Sequence, residues 1–282
     1  MTNPANADQK EYWSDAAGPK WLRHEVALDH TFQPVLDGVL QRADLQNGHA
    51  ALDIGCGTGA STVQAAKAVG ANGHVLGVDI SESMLARARE RGDTYETVTF
   101  ALADATDYDF DPAKFDHLIS RFGVMFFADP VAAFANMSKA LKPGGKVTFA
   151  SWGQIPENPF FTIAAKAARD TVGAPPKPDP DLPGPFAFRD PERVIGILRD
   201  CGLGQLACDT VTIDLTPLGN LDSLADLLSS IGPSDAAATH FDATPEQRVQ
   251  LHEALKEGFA EFQTEKGLRI PAQINFYSAV KS

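Results

Sequence analysis

A chain of 282 residues with 44% hydrophobic content can bury a full core; it is long for one simple domain and short for two large ones, so it reads as one domain carrying insertions. With 24 Lys and Arg against 37 Asp and Glu the formal charge is −13, a field that repels nucleic acid and anionic membrane surfaces and favours a small or cationic ligand. Three cysteines without paired spacing (Cys56, Cys201, Cys208) indicate neither a disulfide framework nor a metal site, and the polar start MTNPANADQKEYW has no apolar leader core. The expectation is a soluble cytoplasmic protein.

Apolar residues at helical spacing from about Trp21 to Ala43 predict an N-terminal helical segment, assigned to residues 1–45 as a lid. AALDIG from Ala50 reads as a short buried strand, STVQAAKAV as a helix stopped by Gly70, HVLGVDIS (His74 to Ser81) as a second strand and SESMLARARERG as a helix closing at Gly92. Val98 to Ala105, Phe115 to Phe122 and Gly145 to Trp152 are further strands, with DPVAAFANMSKAL as the helix between the last two. Alternating strands and helices of this kind predict a doubly wound, Rossmann-like parallel sheet over residues 46–152.

Beyond Trp152 the pattern changes. Pro156 to Pro185 is rich in proline and reads as a surface crossing or lid loop without regular structure, part of a connection over 153–189. The core continues over 190–217, with a helix capped by Asp190 and started by Pro191, then the strand LACDTVTIDL. A largely helical insertion (218–268, its helical part Leu218 to Lys266) precedes a last strand, AQINFYSAV, in 269–282.

Ligands of such a sheet bind beyond the carboxyl ends of its strands. The loop after the first strand, Gly55-Cys56-Gly57-Thr58-Gly59-Ala60, satisfies the loose dinucleotide fingerprint, but it carries no Lys or Arg and has Asp53 at its mouth. A cationic, phosphate-free group suits it better than a pyrophosphate. Asp79, about 20 residues beyond Gly59, stands where a carboxylate accepts from ribose hydroxyls, which fits any adenosyl cofactor. Asp104 at the third strand end can accept from an adenine amine while the Ala105 amide donates to the ring.

LDIGCGTG, GVDIS, LADAT, FDHLISRF and LKPGGKVTFASW, in this order and spacing, resemble the successive motifs of class I S-adenosylmethionine-dependent methyltransferases. SRFGVMFFADP and LKPGG are similar to the ubiquinone/menaquinone-methyltransferase-like, small-molecule branch. The resemblance covers about Ala50 to Trp152. It implies a seven-stranded sheet with an antiparallel last strand, and S-adenosylmethionine as cofactor. It also implies Gly55, Cys56 and Gly57 beneath the methionyl part, Asp53 toward its ammonium, Asp79 on the ribose, Ile80 and Met84 flanking the adenine, and Asp104 with Ala105 on its edge. Ser120 and Arg121, at the fourth strand end, would border cofactor and acceptor.

Trp13, Trp21, Phe122, Phe126, Trp152 and Phe160 are the expected lining of an apolar acceptor pocket, although half or more of the chain's aromatics should be core packing, and Met84 serves equally well as core. His24 is the candidate general base, and His117 reads as packed inside a strand. The expected reaction is methyl transfer to O or C of a small apolar or aromatic acceptor, without metal, nucleic acid or membrane partner; a homodimer is compatible with it. The alternatives are the same fold used without methyl transfer, in cyclisation or in ligand binding, and a nicotinamide oxidoreductase.

Overall fold

The computed structural model describes residues 6–176 and 178–282. The part of the expected lid formed by residues 1–5, and Lys177 of the Pro-rich connection, lie outside the described residues.

Seven strands form one sheet: β1 Ala50–Ile54, β2 His74–Asp79, β3 Val98–Leu102, β4 Phe115–Arg121, β5 Leu141–Trp152, β6 Leu203–Leu215 and β9 Ile270–Lys281. Their order is β3-β2-β1-β4-β5-β9-β6. The first five run parallel, whereas β9 is antiparallel to both neighbours. The predicted α/β class and antiparallel last strand are therefore present. Chain order reverses between β1 and β4, the switch point beside which the binding crevice of such a sheet lies. The central strands are near-continuous apolar runs because helices cover both faces; Leu52, Leu118, Ile119 and Phe149 are wholly buried.

On the crevice side, α5 Ala60–Val69 follows β1 and α6 Glu82–Gly92 follows β2. The chain enters through α1 Ala7–Glu11, a π turn Tyr12–Ala16, α2 Ala17–Arg23, α3 Glu25–Thr31 and α4 Gln33–Ala43. Of these, α4 packs on β4, β5 and β6, while α2 and the π turn reach across to α6. α7 Pro130–Ala140 begins at Pro130, with Asp129 accepting from the Ala132 N–H as its cap.

The Pro-rich connection required a correction. Pro159–Thr171 is a helix, α8, because Pro159 occupies the first turn, where its missing N–H costs nothing, and the next twelve residues contain no further proline. The prolines break the chain only after Gly173. α9 Pro191–Asp200 has the predicted Asp190 cap, which accepts from the Glu192 N–H. The helical insertion comprises α10 Leu221–Leu228, α11 Gly232–His240 and α12 Pro245–Phe259, and ends in a two-strand ribbon, β7 Gln263–Thr264 with β8 Gly267–Leu268, which the sequence pattern did not suggest. α8 packs against α11 and α12, so the Pro-rich connection and the insertion build one helical layer. β5 starts at Leu141, earlier than predicted, and turns at Gly144 (φ +78). No helix among the described residues is long and apolar enough to cross a membrane.

Candidate functional site

The crevice is built around a close approach of two loops. Gly55 and Gly57 sit at φ +66 and +57, a region glycine enters freely. A Cβ on Gly55 would lie 2.6 Å from Gly123 Cα, and one on Gly123 would lie 2.5 Å from the Ile54 carbonyl oxygen. Gly123 is thus a residue of the site that sequence reasoning did not single out, although SRFG contains it. Gly123→Ala pushes backbone against backbone and should cost about 1–3 kcal/mol in urea unfolding. Gly196→Ala in α9, where a Cβ meets nothing within 4 Å, should be neutral or stabilising.

Ser120, expected among the cofactor contacts, spends its buried hydroxyl on this approach: Oγ donates to the Ile54 carbonyl at 2.7 Å and accepts from the Gly123 N–H at 3.1 Å. Its role here is to lock the two loops. Phe122 adopts φ +66, rare for a side chain of this size, and stacks on Trp152 at 4.6 Å with planes 3° apart. Strain at this position is held by the packing around it.

Three carboxylates line the strand ends, as expected. Asp53 is wholly buried, and its Oδ2 accepts from Ser61 Oγ and Thr62 Oγ1, both at 2.6 Å, while Oδ1 is buried without a partner among the described residues. Burial raises its pKa to about 6 against the opposing pull of the two hydroxyls and Arg121. Ser61 and Thr62 were missed; their place in the first turn of the helix behind the glycines was the available signal. Asp79 accepts from the Gly57 N–H at 2.8 Å and the Ser81 N–H at 2.9 Å, and burial raises its pKa. Ile80 is half-buried beside it, and Met84 is buried with its Cε 3.0 Å from where a Gly57 Cβ would be. Asp104 and Ala105 follow β3, both buried. Cys56 is buried in the loop, and burial pushes its thiol well above the ordinary range.

Arg121, at the end of β4, pairs with Asp29 of α3 at 3.4 Å, and its Nη1 is buried without a partner among the described residues. Burial lowers its pKa, opposed first by Asp29. Asp29 also holds Arg91, at 2.8 Å, and Glu25 holds Arg87, at 2.8 Å. This ladder pins α3 to α6 and to the floor of the crevice, a contact sequence reasoning did not anticipate.

Above the floor lies a chain of rings. Trp152, Phe160 and Phe122 are buried at its base with Phe32, whose ring lies 5.6–5.8 Å from all three. Trp13, Trp21 and Phe126 are half-buried at its rim, Trp13 meeting Phe126 at 5.0 Å and Trp21 at 5.9 Å. All six expected lining residues thus fall in one aromatic cluster. His24 joins α2 to α3, away from the floor; its Nε2 is buried without a partner among the described residues, and burial, then Arg23, lowers its pKa, opposed by Asp226 of α10. His117 is buried at the other end of β4, stacked on His49 at 5.1 Å. A hollow of about 590 Å³ at that same far pole, lined by Lys67, His74 and Tyr95, is remote from the crevice. No group of three or more His, Cys, Asp or Glu is placed to hold a metal among the described residues.

The strand order, with its antiparallel last strand, is that of the Rossmann-like methyltransferase fold. Residues 51–145 match the family model described as a methyltransferase domain. Over 123 residues the chain is 37% identical to a demethylmenaquinone methyltransferase of Staphylococcus aureus, 44% of this chain and 51% of that protein. It thus spans about half the length of the curated relatives it matches. Among solved structures it is similar to phosphoethanolamine N-methyltransferase 2 of Haemonchus contortus in complex with S-adenosyl-L-methionine, at 24% identity and a TM-score of 0.54, covering 88% of this chain and 52% of that one. It is also similar to the [4+2]-cyclase SpnF, at 19% identity and a TM-score of 0.50, covering 88% of this chain and 80% of that one. These structural likenesses speak to the fold.

The residues present suit the cofactor of this class. Asp53 Oδ1 and Arg121 Nη1, both buried without a partner among the described residues, are an acceptor and a donor of the kind that the two ends of an amino acid zwitterion need. Gly57, with only the flexible end of Met84 near its missing Cβ, lets a ligand approach the backbone.

Proposed function

We propose that this protein transfers a methyl group from S-adenosylmethionine to an oxygen or carbon of a small, largely apolar aromatic acceptor. One observation carries this reading: a carboxylate-lined glycine loop with no basic residue packs on Gly123, next to Phe122 of a connected cluster of aromatic rings. The carboxylates suit a cation, and the rings suit a flat apolar partner. The identity to demethylmenaquinone methyltransferases over the core supports a quinol-like ring as the acceptor class.

In this reading Asp53 and Arg121 hold the amino acid end, Asp79 the ribose hydroxyls, and Asp104 with the Ala105 amide the adenine. The bound cofactor supplies a methyl carbon on a sulfonium, which an in-line nucleophile takes while the C–S electron pair returns to sulfur. The protein's task is alignment and exclusion of water, which can supply most of the acceleration. Trp13, Trp21 and Phe126 close over the acceptor, and Phe122, Trp152 and Phe160 fix its plane. His24 takes the acceptor's hydroxyl proton, supported by an Nε2 that is buried without a partner among the described residues and by a pKa that burial lowers.

Methyl-labelled S-adenosylmethionine offered with reduced naphthoquinols, catechols and simple amines tests the proposal. Labelled quinol or catechol product matched by S-adenosylhomocysteine supports it; label on amines alone, or none, contradicts it. His24→Gln should lower kcat about 10²-fold with little change in KM and abolish the acid limb of the pH profile. An unchanged profile would remove His24 from the mechanism.

A further inference from the structure

Asn6 meets the acidic end of β3 from a position far away in the sequence. Its Nδ2 donates to both oxygens of Asp104, at 2.9 and 3.1 Å, and to Thr106 Oγ1 at 2.8 Å. Its Oδ1 accepts from the Ala128 N–H at 3.0 Å. The side chain is 3% exposed, in an entering segment whose neighbours from Ala7 to Ala16 include no buried residue. A primary amide therefore presents to the Asp104 carboxylate the same kind of N–H donor that the exocyclic amine of adenine presents. Asp104 Oδ1 is also engaged by the Thr106 N–H, at 2.9 Å. With the amide astride both oxygens, an incoming amine must share or take the same edge.

We infer that Asn6 is a built-in competitor of the adenosyl group, latching the adenine-reading edge shut, so that cofactor binding and release of the N-terminal segment are one event. The inference rests on the adenosyl reading of Asp104 given above. The latch is held by polar contacts and hardly by burial, which is the profile of a segment that opens at low cost. Gln9, one turn further along, keeps a buried Oε1 without a partner among the described residues, so the shut state of this segment is not fully satisfied. The other end of the strap bears on the acceptor site: Trp13 of the π turn touches Phe126 and Trp21, so lifting Asn6 loosens the aromatic rim. A latched fraction reduces apparent cofactor affinity in proportion to the unlatched population.

The test uses the full chain titrated with S-adenosylhomocysteine by calorimetry, with association followed by stopped-flow tryptophan fluorescence. Asn6→Ala should bind about tenfold more tightly, mainly through faster association. Thr106→Val, which removes one partner of Asn6 and leaves the Asp104 carboxylate in place, should shift both quantities in the same direction by a smaller factor. In the ligand-free protein, hydrogen exchange at the Ala128 amide should accelerate in Asn6→Ala. If the parent binds and Asn6→Ala binds equally or more weakly, the inference falls and Asn6 is a clamp or a bystander. If parent and both variants all fail to bind, the adenosyl reading falls and takes the inference with it.

Discussion

Asp79→Ala should weaken S-adenosylmethionine binding by about 10²- to 10⁴-fold in a calorimetric titration. Two ribose hydroxyls donating to one carboxylate make two charge-assisted hydrogen bonds, each contributing about 1.5–3 kcal/mol, and about 1.4 kcal/mol is a factor of ten. Asp79 also accepts from the Gly57 and Ser81 N–H groups, so the variant loosens the glycine loop as well as removing the proposed ribose acceptor. Circular dichroism and urea unfolding of the ligand-free variant separate the two effects. A folded variant with parental affinity would show that the ribose lies elsewhere.

Asp53→Asn should act in opposite directions on the ligand-free and ligand-bound protein. The pKa of Asp53 is raised from 3.8 to about 6 by burial, so the folded protein holds this proton more tightly than the unfolded chain. As pH rises through the window from about 4 to 6, the unfolded state gives up its proton first, and stability falls by about 1.4 kcal/mol per unit of difference. Above pH 6 the cost is complete, on the order of 3 kcal/mol. Asparagine carries no charge to desolvate, so the ligand-free variant should melt about 5 °C higher than the parent at pH 8 and show little gain at pH 4. The same substitution removes the carboxylate proposed for the cofactor's ammonium and should weaken binding at pH 8 by at least tenfold. In the parent, affinity should improve as pH rises from 5 to 7 with proton release on binding. A variant that is less stable at pH 8 than at pH 4, relative to the parent, would contradict the origin assigned to the shift.

The stability that Asp53 forgoes is consistent with a site arranged for a cation rather than for its own folding. Burial alone would favour a neutral residue here. Ser61 and Thr62 offset part of the cost by orienting Oδ2 and leaving Oδ1 open.

The doubly wound core was legible because local signals and the global fold agree in it. The strands β1 to β4 are short, largely apolar runs, and the helices α5, α6 and α7 each carry a cap or a glycine stop. The strand-end acids were legible for the same reason: Asp53, Asp79 and Asp104 occupy positions set by strand length alone. What proline content concealed was α8, since a window averaged over Pro156 to Pro185 hides a proline-free stretch that Pro159 starts rather than breaks. The ribbon of β7 and β8 escaped because two-residue strands carry no period.

The contacts that close the crevice were not legible at all. Asn6 with Asp104, Asp29 with Arg121 and Gly55 with Gly123 join positions whose separation in the chain bears no pattern. Only packing brings them together. Ser120 shows the converse: its place beside Arg121 suggested a ligand contact, and its hydroxyl is used instead to hold the backbone on which the site depends.

The cationic character of the glycine loop's ligand is the claim on which the rest depends, and one titration tests it most directly: the protein against S-adenosylmethionine, with NAD in parallel, by calorimetry at pH 8. S-adenosylmethionine should bind one to one, more tightly than NAD by at least tenfold, with the preference shrinking in Asp53→Asn. Binding of NAD without S-adenosylmethionine would contradict the account and return the loop to the dinucleotide fingerprint that it also spells.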